Sequence, residues 1–148
     1  MVRSGGKWML IGEFELRVDH KGRVAVPAKF REAFRDGVVL SRGFDKCLTV
    51  YTVTGWEKVA EQLASMPLTQ INSRRITRFT FSGAFALDLD RQGRIILPLG
   101  LRQYAAIDDE AVVIGAYSHL QIWAKDLWNA EKQFMAEHAA EVSEAVEA

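Results

Sequence analysis

Hydrophobic and polar residues alternate near the start of the chain with the period of a half-buried β-strand. Phe14, Leu16 and Val18 are separated by charged residues, and a two-residue period is typical of a strand with one buried face. The run RVAV at 23–26 has the composition of a second strand. Because only residues 19–22 separate the two runs, the pattern predicts a β-hairpin.

The connecting residues, Asp-His-Lys-Gly, have the chemistry of a tight turn. Asp19 can accept a backbone hydrogen bond at the first position of a type I turn, and Gly22 can adopt the left-handed conformation that follows it. This combination predicts a turn that ends in a G1-type bulge.

A proline introduces the next predicted element. Pro27 is suited to the first turn of a helix, where the missing N–H would have no intrahelical partner, and a short helix is predicted over 28–35. Two hydrophobic runs, 38–40 and 48–51, predict further strands.

Three amphipathic segments predict longer helices. Thr54 and Glu57 have the spacing of a capping box, so the first of these helices is predicted to begin with Thr54 as its cap. A second begins near Ile71 and is ended by Gly83, and a third covers about 126–146.

The chain contains an internal repeat. Residues 14–31 align without a gap on 85–102, and both segments contain D-x-x-G-R-x-x-x-P-x-x-x-R. Similarity resumes near Leu48 and Leu120, so two copies of about 70 residues fill the chain. Because one copy alone would bury little surface, we expect the copies to share one core with internal pseudo-two-fold symmetry.

The repeat sets the predicted organisation of this α+β chain. The first copy covers 8–64, a linker and connecting helix cover 65–82, and the second copy with its acidic C-terminal helix covers 83–148. Residues 1–7 form an N-terminal extension with no assigned role.

Composition is that of a globular protein, with 49% hydrophobic and 26% charged residues. No apolar run approaches the roughly 18 residues of a membrane-spanning helix, and the stretch Trp8–Ile11 is too short for a secretory signal. Cys47 has no second cysteine with which to form a disulfide. The expected compartment is therefore the cytoplasm.

The formal net charge of zero conceals an asymmetry. Residues 1–102 hold 17 Lys/Arg and 10 Asp/Glu, a difference of +7, whereas residues 103–148 hold 2 and 9, a difference of −7. A basic body indicates an anionic partner, although a solvated acidic helix face explains the pattern equally well.

The doubled motif resembles the MraZ family of bacterial transcriptional regulators, and RITRFTFSGA at 75–84 resembles the connecting helix of that family. The resemblance covers about 8–138. It implies an AbrB-like fold, in which two swapped hairpins interlock in a β-barrel with peripheral helices. It also implies a ring-shaped homo-oligomer on the nucleoid, which binds short direct repeats in double-stranded DNA upstream of its own operon, the division and cell-wall cluster.

The resemblance assigns DNA binding to the two turns. An arginine fork fits phosphate or the O6/N7 edge of guanine, and residues at the tips of the turns suit phosphates. The DNA-binding candidates are Arg23, Arg94, Lys21, Arg91 and Arg17. The supporting candidates, which brace the turns and orient the arginines, are Asp19, Asp90, Gly22 and Gly93.

Two alternatives remain open on the residues alone. An Asp and an Arg four residues apart can simply pair and stabilise a turn. The acidic C-terminal helix can hold a protein partner, as in an antitoxin-like interaction module. Arg31 and Arg102 are expected to be structural or subunit contacts, and Arg74, Arg75 and Arg78 to face water or another subunit.

Catalytic and metal-binding patterns are missing from the sequence. The three histidines are scattered, and no phosphate-binding loop, metalloprotease or nucleophile-elbow motif occurs. We therefore expect no enzymatic activity, no cofactor, no metal and no small-molecule substrate.

Overall fold

The structure is a computed structural model that describes residues 2–4 and 7–147, with side chains from Trp8 onward. The strands are β1 (Val2–Ser4), β2 (Lys7–Met9), β3 (Glu13–Arg17), β4 (Arg23–Ala25), β5 (Val38–Arg42), β6 (Leu48–Thr52), β7 (Phe85–Leu87), β8 (Arg94–Ile96), β9 (Glu110–Gly115) and β10 (Leu120–Ala124). The helices are a 3-10 helix (Ala28–Phe34), α1 (Val53–Ala64), α2 (Ile71–Ser82), α3 (Leu99–Ala105), α4 (Lys125–Glu137) and α5 (Ala139–Glu147).

Antiparallel strands and helices make the fold mixed α+β, as predicted. Six strands form one sheet in the order β3-β9-β10-β6-β5-β7, so β3 and β7 are its edges and the sheet does not close on itself. The strands β4 and β8 pair separately as a two-stranded ribbon, and β1 pairs with β2.

Strand register relates the two copies by a two-fold exchange. In the centre of the sheet, Thr49 lies opposite Gln121, its equivalent in the repeat. In the ribbon, Val24 lies opposite its equivalent Ile95. Exchanging the two copies therefore maps both pairings onto themselves.

The predicted hairpin within each copy is wrong beyond its turn. The turn itself forms, because the N–H of Gly22 donates to the carbonyl of Asp19 and the N–H of Asp19 donates to the carbonyl of Arg23. The strands then separate: β3 pairs with β9 and β4 pairs with β8, both from the other copy. Local periodicity identifies a strand but not its partner, and pairing across copies places the apolar faces of both copies on one core.

The main core lies between one face of the six-stranded sheet, the ribbon and the two short helices. Phe30 and Phe34 of the 3-10 helix and Leu101 of α3 are buried against sheet residues such as Leu40 and Leu120. Each such side chain contributes roughly 1.5–3 kcal/mol on removal from water. Both copies supply residues to this core, as the repeat predicts.

One helix start and one helix type differ from prediction. The hydroxyl of Thr52, not Thr54, caps α1 by accepting the N–H of Gly55 at 3.0 Å. Because β6 continues to Thr52 and leads directly into α1, the cap falls on the last strand residue. The segment predicted as a helix over 28–35 forms a 3-10 helix with i to i+3 bonds such as Phe30 N–H to Pro27 carbonyl.

The predicted C-terminal helix is divided in two at His138. The ring of His138 stacks on Phe134, with centroids 4.2 Å apart, and its Nδ1 lies 3.0 Å from the carbonyl of Phe134. This local competition for a helical carbonyl accompanies the break between α4 and α5. The connecting helix begins at Ile71 and is capped by Gly83, as predicted.

Candidate nucleic-acid interface

A carboxylate clamp holds the first turn. One oxygen of Asp19 accepts the backbone N–H groups of Lys21 and Arg23, each at 2.9 Å, and the other oxygen accepts Nε of Arg23 at 2.8 Å. Gly22 adopts a φ of +76°, a left-handed conformation that glycine enters without steric cost. Asp19 therefore connects the backbone of the turn to the side chain of Arg23.

The second turn repeats this clamp almost without change. Asp90 accepts the backbone N–H groups of Gln92 at 2.9 Å and Arg94 at 2.8 Å, and it accepts Nε of Arg94 at 2.8 Å. Gly93 has a φ of +74°. The same motif therefore forms the same clamp in both copies.

Hydrogen bonding lowers the pKa of both carboxylates, so each stays ionised at a lower pH than an ordinary aspartate. The backbone N–H of Arg23, followed by its side chain and the N–H of Lys21, lowers the pKa of Asp19 to about 2, against a smaller raising effect of desolvation. The backbone N–H of Arg94 is the main cause that lowers the pKa of Asp90. At neutral pH each guanidinium is therefore held by a full negative charge.

The ribbon places both arginines on one outward face. Arg23 lies opposite Ile96, and Arg94 lies opposite Ala25. The intervening residues Val24 and Ile95 point the other way, into the core. Arg23 and Arg94 are consequently diagonal neighbours on the same face, with their backbones about 7–8 Å apart. The remaining two residues of that face, Ala25 and Ile96, are exposed.

The clamp orients each arginine but engages only one nitrogen of its guanidinium group. In both turns the clamp engages Nε, and both side chains are half-buried. Across the described residues, the terminal amino groups of Arg23 and Arg94 have no hydrogen-bond partner. A fork fixed at its base with free terminal donors suits a bidentate acceptor.

Arginines from opposite copies support the turns from behind. Arg31 donates from Nε to the carbonyl of Val26 at 2.9 Å and lies where a Cβ on Gly93 would overlap it. Symmetrically, a Cβ on Gly22 would stand 3.2 Å from Nη1 of Arg102. Arg31 and Arg102 therefore each pack against the glycine of the turn in the other copy. The sequence predicted a structural or subunit contact for these arginines but did not indicate the glycines as their partners.

The other candidates lie around this face. Lys21 and Arg91 are exposed at the tips of the turns. Arg17 lies instead in the six-stranded sheet, 81% exposed, with Nη1 at 3.9 Å from a carboxylate oxygen of Glu110. Such an exposed ion pair is weak, and it is longer than the 2.8 Å pairs that Asp19 and Asp90 make with the two ribbon arginines.

Other chemistry is not assembled in the described part of the chain. Within it, no three His, Cys, Asp or Glu side chains come together as metal ligands. None of the helices described here is long and apolar enough to cross a membrane.

Two successive segments of the chain, residues 9–79 and 80–148, each match the family model described as "MraZ protein, putative antitoxin-like". A Roseiflexus sp. (strain RS-1) relative is 46% identical over 120 residues, covering 81% of this chain and 84% of its own. A Herpetosiphon aurantiacus relative is 44% identical over 140 residues, covering 95% and 98%, and a Pelotomaculum thermopropionicum relative is 43% identical over 138 residues, covering 93% and 95%. All three are named Transcriptional regulator MraZ. Because the family match occurs twice and spans nearly the whole sequence, the chain belongs to the MraZ family.

Proposed function

We propose that this protein is a sequence-specific transcription regulator that contacts double-stranded DNA through the outward face of the β4–β8 ribbon. The observation that carries the proposal is the pairing of Arg23 and Arg94 on that face, each clamped by an aspartate with its terminal donors free. The names of the relatives support regulation of transcription.

The dimensions of the ribbon suit the major groove. That groove is about 12 Å wide and admits a two-stranded β-ribbon. The backbones of the two arginines are about 7–8 Å apart, so two forks on one face would reach different base pairs of the same groove, which rise about 3.4 Å each. Each fork would bind the O6/N7 edge of a guanine and supply about 1–3 kcal/mol of discrimination.

The other candidate residues would make different contributions to DNA binding. Lys21 and Arg91, as point charges at the exposed tips, would bind the phosphates on either side of the groove. Arg17 would contribute least, because it lies in the six-stranded sheet and not in the ribbon. Asp19 and Asp90 would act through the arginines they position rather than by touching DNA.

The finer features implied by the family resemblance are part of this proposal. They comprise the swapped-hairpin AbrB-like arrangement, a ring-shaped homo-oligomer in the cytoplasm and on the nucleoid, and direct repeats upstream of the operon for division and cell-wall genes. One ribbon touches few base pairs, so several ribbons on repeated boxes would raise affinity through effective concentration without new contacts.

The test is a binding titration with labelled DNA from upstream of the gene and a scrambled control, at several salt concentrations. The variant Arg23→Ala/Arg94→Ala is compared with Arg75→Ala/Arg78→Ala, which removes the same charge from exposed positions of α2. We expect wild type and the α2 variant to prefer the native DNA and the ribbon variant to lose that preference.

Equal losses in both double variants would mean that only total charge matters and would overturn the proposed ribbon contact. The mass of each variant in solution, measured by light scattering, separates lost DNA contact from lost assembly. The slope of log affinity against log salt then estimates the number of phosphates contacted.

A second candidate function is binding of a protein partner by α5. No residue of α5 is buried, and Val146 is 90% exposed beside Glu144 and Glu147. Removal of residues 139–148 would abolish partner binding while leaving DNA binding intact. If the deletion instead leaves every interaction of the protein unchanged, α5 is only a solvated acidic helix.

A further inference from the structure

The outward face of the β4–β8 ribbon carries an exposed aliphatic side chain beside both of its arginines. Ile96 is 50% exposed, although the residue before it, Ile95, is buried in the main core. Ile96 lies directly opposite Arg23 and two residues along β8 from Arg94. A single exposed apolar residue is ordinary on a protein surface, so what matters here is the position of Ile96 within the proposed DNA contact.

The backbone hydrogen bonds place Ile96 close to Arg23. The N–H of Leu97 donates to the carbonyl of Gly22 at 2.8 Å, so these two residues form a hydrogen-bonded pair of the antiparallel ladder. Such pairs alternate with non-hydrogen-bonded pairs, in which the side chains of opposite residues stand closest and the Cα atoms are about 4.5 Å apart. Arg23 and Ile96 form a pair of this second kind, so Ile96 faces the same part of a ligand as the guanidinium of Arg23.

Ile96 also breaks the two-fold symmetry of the face. Its equivalent in the first copy is Ala25, which lies opposite Arg94 as Ile96 lies opposite Arg23. The two arginines are themselves equivalent, and both are held through Nε by an aspartate. The remaining outward residues of the ribbon, Ala25 and Ile96, are both exposed but differ in the size of their apolar side chains.

This difference can give a DNA site its direction. A face with exact two-fold symmetry would contact a duplex equally well in either orientation, whereas direct repeats require every ribbon to choose the same orientation. Phosphate contacts from the tips of the turns carry no sequence information. On the outward face of the ribbon, Ile96 and Ala25 are therefore the residues that can distinguish the two ends of a site by base identity.

The chemistry of the major groove indicates which base an isoleucine can recognise. Thymine presents its C5-methyl group there, whereas the other groups that proteins read are hydrogen-bond donors and acceptors. An aliphatic side chain gains free energy by covering a methyl group. Covering a donor or acceptor would remove its water without offering a replacement partner.

We propose that Ile96 contacts the methyl group of a thymine near the guanine bound by Arg23 and thereby sets the orientation of the ribbon on its site. This inference rests on the proposed function, because it assumes that the outward face of the ribbon enters the major groove. Ala25 is too short to make the equivalent contact near Arg94, so a site is read as thymine at one end only.

The test replaces thymine by deoxyuridine, which lacks only the C5-methyl group, at one position at a time in the native DNA. Each duplex is titrated with the full chain. We expect one position in each copy of the site to be sensitive, with wild-type binding weakened about fourfold, the effect of one methyl group in an apolar contact. Binding should change little at the other thymines.

Three variants assign the sensitivity to Ile96. The ribbon accommodates Ile96→Ala, because alanine already occupies the equivalent position 25, and we expect this variant to bind the thymine and deoxyuridine duplexes equally. Ile11→Ala is the same change at a residue outside the ribbon that is 51% exposed, and it should keep the wild-type ratio. The exchange Ala25→Ile/Ile96→Ala should move the sensitive thymine to the opposite end of the site.

The results separate this inference from the ribbon contact itself. If wild type does not prefer native DNA, or if Arg23→Ala/Arg94→Ala keeps that preference, the proposed function fails and this inference fails with it. If the preference depends on the arginines but no deoxyuridine weakens binding, only the role of Ile96 is overturned.

The variants can also contradict the role of Ile96 alone. Sensitivity that persists in Ile96→Ala, or that is lost equally in Ile11→Ala, would overturn the thymine contact. A sensitive thymine that stays in place in the exchange variant would overturn the assigned orientation. A changed mass of Ile96→Ala in light scattering would place Ile96 in a subunit contact and likewise overturn the proposal.

Discussion

In each copy of the repeat a helix follows the last strand, and the two helices, α1 and α4, are buried to different extents. In the second copy Trp128 of α4 is 8% exposed and packs against Trp123 and Val112. In the first copy the equivalent Trp56 is only half-buried over a cavity. The strands at the two-fold axis pair with their equivalents, whereas the outer helices α1 and α4 differ in how deeply they bury their equivalent tryptophans.

The turns show the opposite relation, with the same geometry and a positive charge moved by one position. Corresponding hydrogen bonds of the two clamps agree within 0.1 Å. The tips differ, since the first has His20 and Lys21 where the second has Arg91 and Gln92. The two copies therefore share the clamp but present different side chains at the exposed tips of their turns.

The largest expected difference between the copies concerns their tryptophans. Trp128→Ala should lower the free energy of unfolding by about 3–5 kcal/mol, because it empties a well-packed site. Trp56→Ala should cost about 1–2 kcal/mol, because less of its surface is removed from water. Denaturant unfolding at one protein concentration measures both values. Equal losses would show that α1 packs as tightly as α4.

The glycines of the turns are expected to differ next. Gly22→Ala should cost about 1–2 kcal/mol from its left-handed backbone alone. Gly93→Ala carries the same backbone cost and also displaces Arg31, which loses its bond to the Val26 carbonyl, for a further ~1 kcal/mol. Thermal unfolding of both variants under one condition tests the order. A Gly22 variant less stable than the Gly93 variant would contradict the packing of Arg31 described above.

The tips can be exchanged to test their charge. Lys21→Gln should reduce the salt dependence of DNA binding by about one unit of slope, and Gln92→Lys should increase it by about one unit. Preference for native over scrambled DNA should change little in either variant, because phosphate contacts carry no sequence information. Unchanged slopes would remove the tips from the interface, whatever the ribbon arginines do.

The smallest expected difference between the copies is in the acid titration of the two clamp carboxyls, Asp19 and Asp90. Both clamp carboxyls have a lowered pKa in the folded protein, so their stabilisation is complete above the ordinary value of 3.8 and is lost as pH falls through the folded value, about 2 for Asp19. Asp90 is more exposed than Asp19, and we expect it to titrate at a higher pH. Carboxyl ¹³C shifts during an acid titration measure both. If either group titrates at 3.8, its clamp is not formed in solution.

Local features of this fold could be predicted from the sequence because they depend on a few adjacent residues. Alternation identified the strands, and the spacing of Asp, Gly and Arg identified both turns. The bonds from Asp19 to residues two and four positions ahead lie within one motif. The repeat also indicated a shared core. For α1, the sequence predicts Thr54 as the cap, and the end of β6 at Thr52 places the cap two residues earlier.

The amino-acid sequence by itself determined the duplicated turns, the Asp–Arg clamps and the neutral sum of a basic body and an acidic end. Only the tertiary structure decided that β4 pairs with β8, which brings Arg23 and Arg94 onto one face. It also decided the packing of Arg31 against Gly93 and the cavity beneath α1. These features join residues from distant parts of the chain, and their energies depend on packing and strand partners that no local pattern encodes.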